Sequence, residues 1–404
     1  MRVAIEKSNL YGTVKAQPSK SMAHRLLICA ALSGGVCKID NIAYSNDVVA
    51  TLNCLSSLGI KCEKFDNYVI VNGVNIKDVF LNSSLNCDEC GSTLRFFIPI
   101  ALLLNQKVVL IGSERLLSRP LDLYENLCNE KGFIFNKDKE KLTVKGALTA
   151  GEYNLTGNVS SQYISGMLFA LSAIDGKSII NITTKLESRS YVNLTIDALN
   201  KFGIKAYFEN DYKIIVFGGT YAPQNVTVEG DYSNAAFLDA LNYLGNNVNV
   251  LGLNDNSLQG DSIYKQYFSE LEKGNPVLDI TDCPDLAPVL FSLASFLNGA
   301  TFIGTNRLKI KESDRAEAMK QELKKFGANV MVLDNKVVIN KCVLHKPTTQ
   351  IYAHNDHRIV MALSILLTKF GGEIYGAEAI NKSYPTFFDD LIAINCELKI
   401  NEDN

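Results

Sequence analysis

Six apolar segments recur along the chain at a regular spacing, and that period constrains the fold more than composition does. They open at Lys20 (KSMAHRLLICAAL), Gly91 (GSTLRFFIPIALL), Ser160 (SSQYISGMLFALSA), Tyr232 (YSNAAFLDALNYL), Asp285 (DLAPVLFSLASFL) and Asp356 (DHRIVMALSILL). The openings lie about 70 residues apart, except for one interval of about 50 between Tyr232 and Asp285. Each begins with small, polar or charged residues and runs into a stretch that is apolar on every face, the pattern of a helix buried all round. A second marker shares the period. It is an amphipathic helix ending in glycine, at Gly59, Gly132, Gly203, Gly274 and Gly327, spaced 73, 71, 71 and 53 residues apart. Glycine there relieves the left-handed backbone that closes a helix. Two independent markers with one period and one short interval predict a repeated unit.

Each unit reads as a buried helix, a short strand such as 108–112 (VVLIG) or 178–182 (SIINI), the Gly-ended helix, and a hairpin. The hairpins 61–73 and 205–219 carry Asn and Asp at their centres, as tight turns require. After Gly274 the chain passes straight into Asn-Pro-Val, so the fourth unit is expected to lack its hairpin. The sixth unit ends the chain soon after its second helix.

A chain of 404 residues has room for two domains. With 47% hydrophobic and 21% charged residues it is ordinarily globular. No apolar run is long enough to predict a membrane span. The start, MRVAIEKSNLYG, lacks the apolar core of a signal peptide. Ten cysteines without such a signal predict reduced thiols and a cytoplasmic location. Cys87 and Cys90 form a CxxC pair with no second pair, which reads as structural rather than as a zinc site. A net charge of −3 argues against bulk nucleic-acid binding and makes any cationic site local.

The cations are indeed local. Lys20 and Arg25 lie in the first opening, Arg95 in the second and Arg358 in the sixth. Polar loops add Arg115, Arg119, Arg189, Lys309, Lys311, Arg315 and Lys382. Helix starts carry unpaired N–H groups and a partial positive charge, which suit anions. Serines 21, 92, 160 and 161 stand at the same openings. If the units pack with pseudo-symmetry, several Arg forks converge on one cavity, the geometry for carboxylate and phosphate. Such a cavity, empty, is expected to repel itself open. Asp285, Glu312 and Asp356 accompany the cations; each is either a cap or salt-bridge partner, or an acid–base group.

In order along the chain, PSKSMAHR (18–25), GSTLR (91–95), SERLLSRP (113–120), VSSQY (159–163), LESRSY (186–191), DCPDLAP (282–288), KIKESDR (309–315), NDHRIVMA (355–362) and KSYPTFF (382–388) resemble the 5-enolpyruvylshikimate-3-phosphate synthase family of enolpyruvyl transferases. The resemblance covers essentially the whole chain. It implies a two-lobed inverse α/β barrel of six βαβαββ-like units, three per lobe. The first lobe is expected over 14–228, and the second over 1–13 plus 229–404 with its first unit, the fourth of the chain, shortened. The active site is expected in the interdomain cleft. The implied reaction moves the enolpyruvyl group of phosphoenolpyruvate to the 5-hydroxyl of shikimate 3-phosphate and releases phosphate, by addition and elimination. These two small molecules are the implied partners, with no nucleic acid, membrane, metal or organic cofactor, and a monomer is expected.

The resemblance assigns roles residue by residue. Ser21, Arg25, Ser160, Ser161, Gln162, Ser188, Tyr191, Asp285 and Lys311 are expected to bind shikimate 3-phosphate. Lys20, Gly91, Arg115, Gln162, Arg315, Arg358 and Lys382 are expected to bind phosphoenolpyruvate. The catalytic group is Asp285 as base for the 5-hydroxyl, Glu312 as proton donor to the methylene carbon, and Lys20 as a competitor for proton transfer. Glu89 and Arg307 depart from the family's usual uncharged residues. UDP-N-acetylglucosamine enolpyruvyl transferase is the nearest rival; that family opens with Lys-Asn where this chain has Lys20-Ser21, and uses a loop Cys where SERLLSRP has none. A non-catalytic anion-binding protein on the same fold is the other, and loss of Asp285, Glu312 or Lys20 would have signalled it.

Overall fold

The computed structural model describes residues 1–79, 81 and 84–401. They form two compact units: Pro18–Glu229, and Met1–Gln17 with Gly230–Asn404. Each has its own apolar core.

Among the described residues, the unit Pro18–Glu229 holds three four-stranded sheets of one design, a parallel pair followed by an antiparallel hairpin. Leu85–Asn86 runs parallel to Val108–Ile111, which pairs antiparallel with Lys141–Lys145, itself paired with Ile134–Lys137. Glu152–Leu155, Gly176–Ile182, Lys213–Gly218 and Ala206–Asn210 repeat the order. The third sheet, Val36–Asp40 with Tyr68–Asn72 and Lys61–Lys64, takes its parallel strand Val226–Thr227 from the far end of the unit.

The other unit keeps the design in Val277–Asp279, Gly299–Ile303, Lys336–Asn340 and Asn329–Leu333. In a second sheet, Ile351–Tyr352 runs parallel to Gly372–Tyr375, and the chain's first strand, Arg2–Ile5, inserts between Gly372–Tyr375 and Leu398–Asn401. The fourth repeat is reduced to the parallel pair Tyr11–Lys15 and Asn247–Leu251. That pairing holds Tyr11–Lys15 with the second unit, so the division falls after Gln17 and after Glu229, against the lobe bounds expected after residues 13 and 228.

The glycine stops show the same irregularity. Gly59, Gly132, Gly203 and Gly327 have φ of 80°, 69°, 81° and 90°. Gly274, expected to close its helix in the same way, has φ 174°. Its helix, Tyr264–Lys273, runs directly into a strand, so the chain leaves in extended form instead of reversing.

The apolar segments form Lys20–Ala31, Gly91–Ala101, Ser161–Ser172, Tyr232–Tyr243, Ala287–Phe296 and His357–Phe370. Within Ser161–Ser172 every residue except Gln162 is buried. Helices enclosed on all sides present polar groups only at their ends, so burial itself pushes function to the openings. No helix among the described residues is long and apolar enough to cross a membrane.

Gly91–Ala101 and Ser161–Ser172 pack closely, and Gly166 permits it. A Cβ at Gly166 would stand 2.5 Å from the Arg95 carbonyl oxygen and against the Tyr124 hydroxyl. That hydroxyl donates to the Arg95 carbonyl at 2.8 Å, so the neighbours cannot yield cheaply. Gly166→Ala is expected to destabilise the chain by about 1–3 kcal/mol through overpacking. A urea-unfolding midpoint equal to that of the parent would contradict this packing.

Candidate active site

In the unit that contains Gly230–Asn404, three helix openings meet at one guanidinium. Arg358, on the first turn of His357–Phe370, donates from Nη1 to Ser233 Oγ at 2.6 Å and from Nη2 to Asp285 Oδ2 at 3.1 Å. Ser233 belongs to the opening of Tyr232–Tyr243, and Asp285 to the short 3-10 turn Pro284–Leu286 that leads into Ala287–Phe296. Arg315 lies deeper, 1% exposed, at the start of Arg315–Lys325. Its Nη1 donates to Asp285 Oδ1 at 2.6 Å, its Nη2 to Glu312 Oε2 at 2.6 Å and its Nε to Asp356 Oδ2 at 2.8 Å. Lys311 Nζ donates to Asp285 Oδ1 at 3.2 Å. Asp356 is fully buried, caps its helix by accepting from the Arg358 N–H at 3.0 Å, and also accepts from Ser313 Oγ. Lys382 Nζ donates to the Asn355 carbonyl at 2.7 Å, one residue before that cap.

Cations and carboxylates are therefore interleaved: Lys311, Arg315 and Arg358 against Asp285, Glu312 and Asp356. The carboxylates expected to accompany the cations neutralise the cluster from within. The pairing shifts the groups unequally. Burial alone would raise the Asp285 carboxyl, but Arg358, Lys311 and Arg315 outweigh it and hold it well below the usual range. Burial pushes the Lys311 ammonium down to about 8; Asp285 resists this, while Arg315 and Arg307 add to it. Burial, and then Asp285, push the Asp261 carboxyl up to about 6. Arg307 is buried in the turn Asn306–Ile310, and its guanidinium donates to the Thr281 carbonyl. Its charge reaches Lys311, which gives this departure from the family pattern a local electrostatic effect.

The unit Pro18–Glu229 has its own cluster. Arg25 is held on three sides: Nε donates to Thr195 Oγ1 at 2.8 Å, Nη1 to the Ser21 carbonyl at 2.5 Å and Nη2 to the Tyr191 carbonyl at 2.9 Å. Its guanidinium also lies over the rings of Phe96 and Tyr191. Lys20 Nζ donates to Asp47 Oδ2 at 2.6 Å. Arg95 Nη1 donates to Gln162 Oε1 at 2.7 Å, and Gln162 Nε2 donates to Ser92 Oγ at 2.9 Å, so the one partly open residue of its helix is held at both ends. Ser160 caps the same helix, accepting from the Gln162 N–H. Ser161 is buried one residue on, and Ser188 precedes Arg189–Lys201 in the left-handed region, at φ 56°.

The fold thus gathers Asp285, Lys311, Glu312, Arg315 and Arg358 side by side, with Lys382 bonded at the neighbouring Asn355. It gathers Ser21, Arg25 and Tyr191 in the other unit, and Gln162 with Ser160. Arg115 is not so placed. It sits exposed on Glu114–Ser118, whereas Arg119 is buried against Gly91. A Cβ at Gly91 would come 2.5 Å from Arg119 Nη1 and 3.2 Å from Arg95 Nη1, so glycine is what lets two guanidinium groups approach this backbone. The five-residue helix turns position 115 outward, and the extended residue after it returns 119 to the interior. Sequence reasoning missed Asp47, Ser233, Asp261 and Thr195. A signal existed for Asp47 alone, in the first turn of Asn46–Ser57.

Comparison with solved structures defines the class. The EPSP synthase from Acinetobacter baumannii matches with a TM-score of 0.80 at 20% identity, over 99% of this chain and 100% of that one. The enolpyruvyl transferase NikO from Streptomyces tendae matches with a TM-score of 0.78 at 12% identity, over 98% of each chain. The fold is that of the enolpyruvyl transferases, the inverse α/β barrel. A family model described as EPSP synthase (3-phosphoshikimate 1-carboxyvinyltransferase) matches residues 5–391. The 3-phosphoshikimate 1-carboxyvinyltransferases of Clostridium botulinum (strain Eklund 17B / Type B) and Clostridium kluyveri are 40% and 39% identical, over 96% and 98% of this chain and the same shares of theirs. The chain belongs to the EPSP synthase family.

Lys311 loses its charge as pH rises through about 8, so an anion-binding step that needs the charge weakens above that value. The expected kcat/KM falls on the alkaline side with an apparent pKa near 8, and Lys311→Arg, which stays charged, is expected to lack that limb. A limb unchanged in the variant would assign it to another group.

Proposed function

We propose how the two clusters divide the work of this enzyme's reaction, carboxyvinyl transfer from phosphoenolpyruvate to the 5-hydroxyl of shikimate 3-phosphate with release of phosphate. The observation that carries the reading is the ring of Lys311, Arg315 and Arg358 around Asp285. Phosphorylated carboxylates need several oriented cations, and two of these three are guanidinium forks. Arg25, Ser21, Ser160, Ser161, Gln162, Ser188 and Tyr191 serve the acceptor. Lys20, Arg119, Arg315, Arg358 and Lys382 serve the donor, Arg119 taking the place given to Arg115.

Anion entry supplies the chemistry. An incoming phosphate or carboxylate competes with Asp285 and Glu312 for Arg315 and Arg358. As those cations turn to substrate, less positive charge holds the Asp285 carboxyl down, and it becomes basic enough to take the hydroxyl proton. The same exchange releases Glu312 from Arg315, so that its carboxylate takes up a proton from solvent and can then deliver it to the methylene carbon of the donor. Lys20, paired with Asp47, competes with Glu312 for the proton transfer. The enzyme works as a cytoplasmic monomer without cofactor in this reading. No observation favours the UDP-N-acetylglucosamine acceptor.

The direct test is phosphate release from phosphoenolpyruvate, which should require shikimate 3-phosphate and fail with UDP-N-acetylglucosamine; the reverse pattern overturns the reading. Glu312→Gln keeps the shape and removes the proton, so turnover should drop by about 10²–10⁴-fold with little change in substrate binding. Near-parental turnover would remove Glu312 from that role. Arg25→Ala should weaken shikimate 3-phosphate in equilibrium binding and leave phosphoenolpyruvate affinity nearly unchanged; an effect confined to phosphoenolpyruvate would reverse the assignment.

A further inference from the structure

Beside Lys20, three side chains of metal-ligating type meet. His24 lies one turn further along Lys20–Ala31, Asp47 sits in the first turn of Asn46–Ser57, and Cys90 caps Gly91–Ala101. One ligand atom from each, all within 4.8 Å of one another, forms a compact triangle. His24 Nε2 and Cys90 Sγ are 3.8 Å apart. Ligands of a tetrahedral zinc stand roughly 3.5 Å from one another, so small side-chain movements suffice to close on an ion.

The histidine is also held as a ligand would be. His24 Nδ1 lies 2.7 Å from Thr51 Oγ1, which lies 2.7 Å from Thr93 Oγ1. With the proton on Nδ1 donated to Thr51, the Nε2 lone pair faces Cys90, the orientation that a hydrogen-bonded second nitrogen imposes on a metal ligand. Burial, with Lys20 and Arg25 nearby, keeps the imidazole well below its ordinary pKa and hence neutral, the form that binds metal. Cys87, the other half of the CxxC, is hydrogen-bonded with Cys54 instead.

We propose that His24, Asp47 and Cys90 form an inhibitory site for a thiophilic divalent cation of the Zn2+ class, filled at the expense of the Lys20–Asp47 ion pair. The charges balance. The Asp47 carboxylate and the Cys90 thiolate together match a dication, while the thiol proton goes to solvent and the Lys20 ammonium leaves Asp47. The S–H bond breaks, a sulfur–metal bond forms, and no oxidation occurs. Burial and then Asp47 push the Cys90 thiol up to about 12, so binding at neutral pH releases a proton and tightens as pH rises. Lys20 and Asp47 keep 14% and 12% side-chain exposure, which leaves a route for the ion and a position for water as fourth ligand. The effect on turnover rests on the role proposed for Lys20; the binding does not.

The test uses the reduced full-length chain. Equilibrium dialysis against Zn2+ measures bound metal, and Co2+ reports sulfur ligation through its thiolate charge-transfer absorption. Cys90→Ser keeps an N-cap but removes the thiolate, and His24→Asn removes the imidazole. The parent is expected to bind one more Zn2+ per chain than either variant and alone to show the full Co2+ band. Thr51→Val, which removes only the orienting hydroxyl, should weaken Zn2+ by about 10–100-fold. Zn2+ should abolish parental turnover, a chelator should restore it, and both ligand variants should resist. Equal Zn2+ binding by the parent and both variants overturns the site. Selective binding with parental turnover unaffected overturns its inhibitory role.

Discussion

Arg358 bonds the starts of three repeats to one another, and the arrangement of the Gly230–Asn404 unit follows from that contact. The helices Tyr232–Tyr243, Ala287–Phe296 and His357–Phe370 are largely buried and pack on one another. Their polar ends have nowhere to go except toward a common point. The Arg358 guanidinium there reaches Ser233 and Asp285, and the Arg358 backbone N–H donates to Asp356. Arg315 beneath it is itself almost wholly buried and ties Asp285, Glu312 and Asp356 together. Removing one partner from such a buried set leaves an uncompensated charge, typically a loss of about 3–5 kcal/mol, so the cluster has to be assembled as a whole.

Internal neutralisation reconciles stability with anion binding. A site made of bare cations would pay heavily for its desolvation; this one carries its own carboxylates as stand-ins for substrate. In the proposed mechanism, exchange of those carboxylates for substrate anions would alter the basicity of Asp285 and so link binding to proton transfer. The Pro18–Glu229 unit solves the problem differently. Arg25 is satisfied by carbonyl oxygens, a hydroxyl and two aromatic faces, and Lys20 pairs with the Asp47 carboxylate.

Much of the fold was legible because burial and backbone geometry leave periodic marks. Apolar runs flagged the enclosed helices, and glycines flagged helix ends, with Gly274 failing because its chain continues into a strand instead of turning back. The family resemblance put 1–13 with the second lobe, but the insertion of Arg2–Ile5 between Gly372–Tyr375 and Leu398–Asn401 leaves no mark in the sequence. Among the candidate site residues, Lys311, Glu312 and Arg315 could be singled out because a carboxylate stands among cations in one short loop, and Arg358 because a charge next to apolar helix is costly unless paired. Ser233, Asp261 and Thr195 could not. Their types are ordinary and their partners are distant in sequence, as in the 125 residues between Arg358 and Ser233. Arg119 shows the limit most directly: two arginines four residues apart in SERLLSRP differ in burial, and the helix of Glu114–Ser118 alone selects between them.

Local chemistry, repeated along the chain, was enough to specify a six-fold repeat, one shortened unit, and cationic openings suited to phosphorylated carboxylates. Such features depend on neighbours within a few residues, and a sequence records them directly. Which charge opposes which depends on packing. That Asp285 lies among three cations and is held well below its usual pKa, that Lys311 falls to about 8, and that His24, Asp47 and Cys90 share a corner beside Lys20 are all consequences of helix ends meeting in space. Coulomb energy varies with distance and local polarity, and neither exists until the chain has folded.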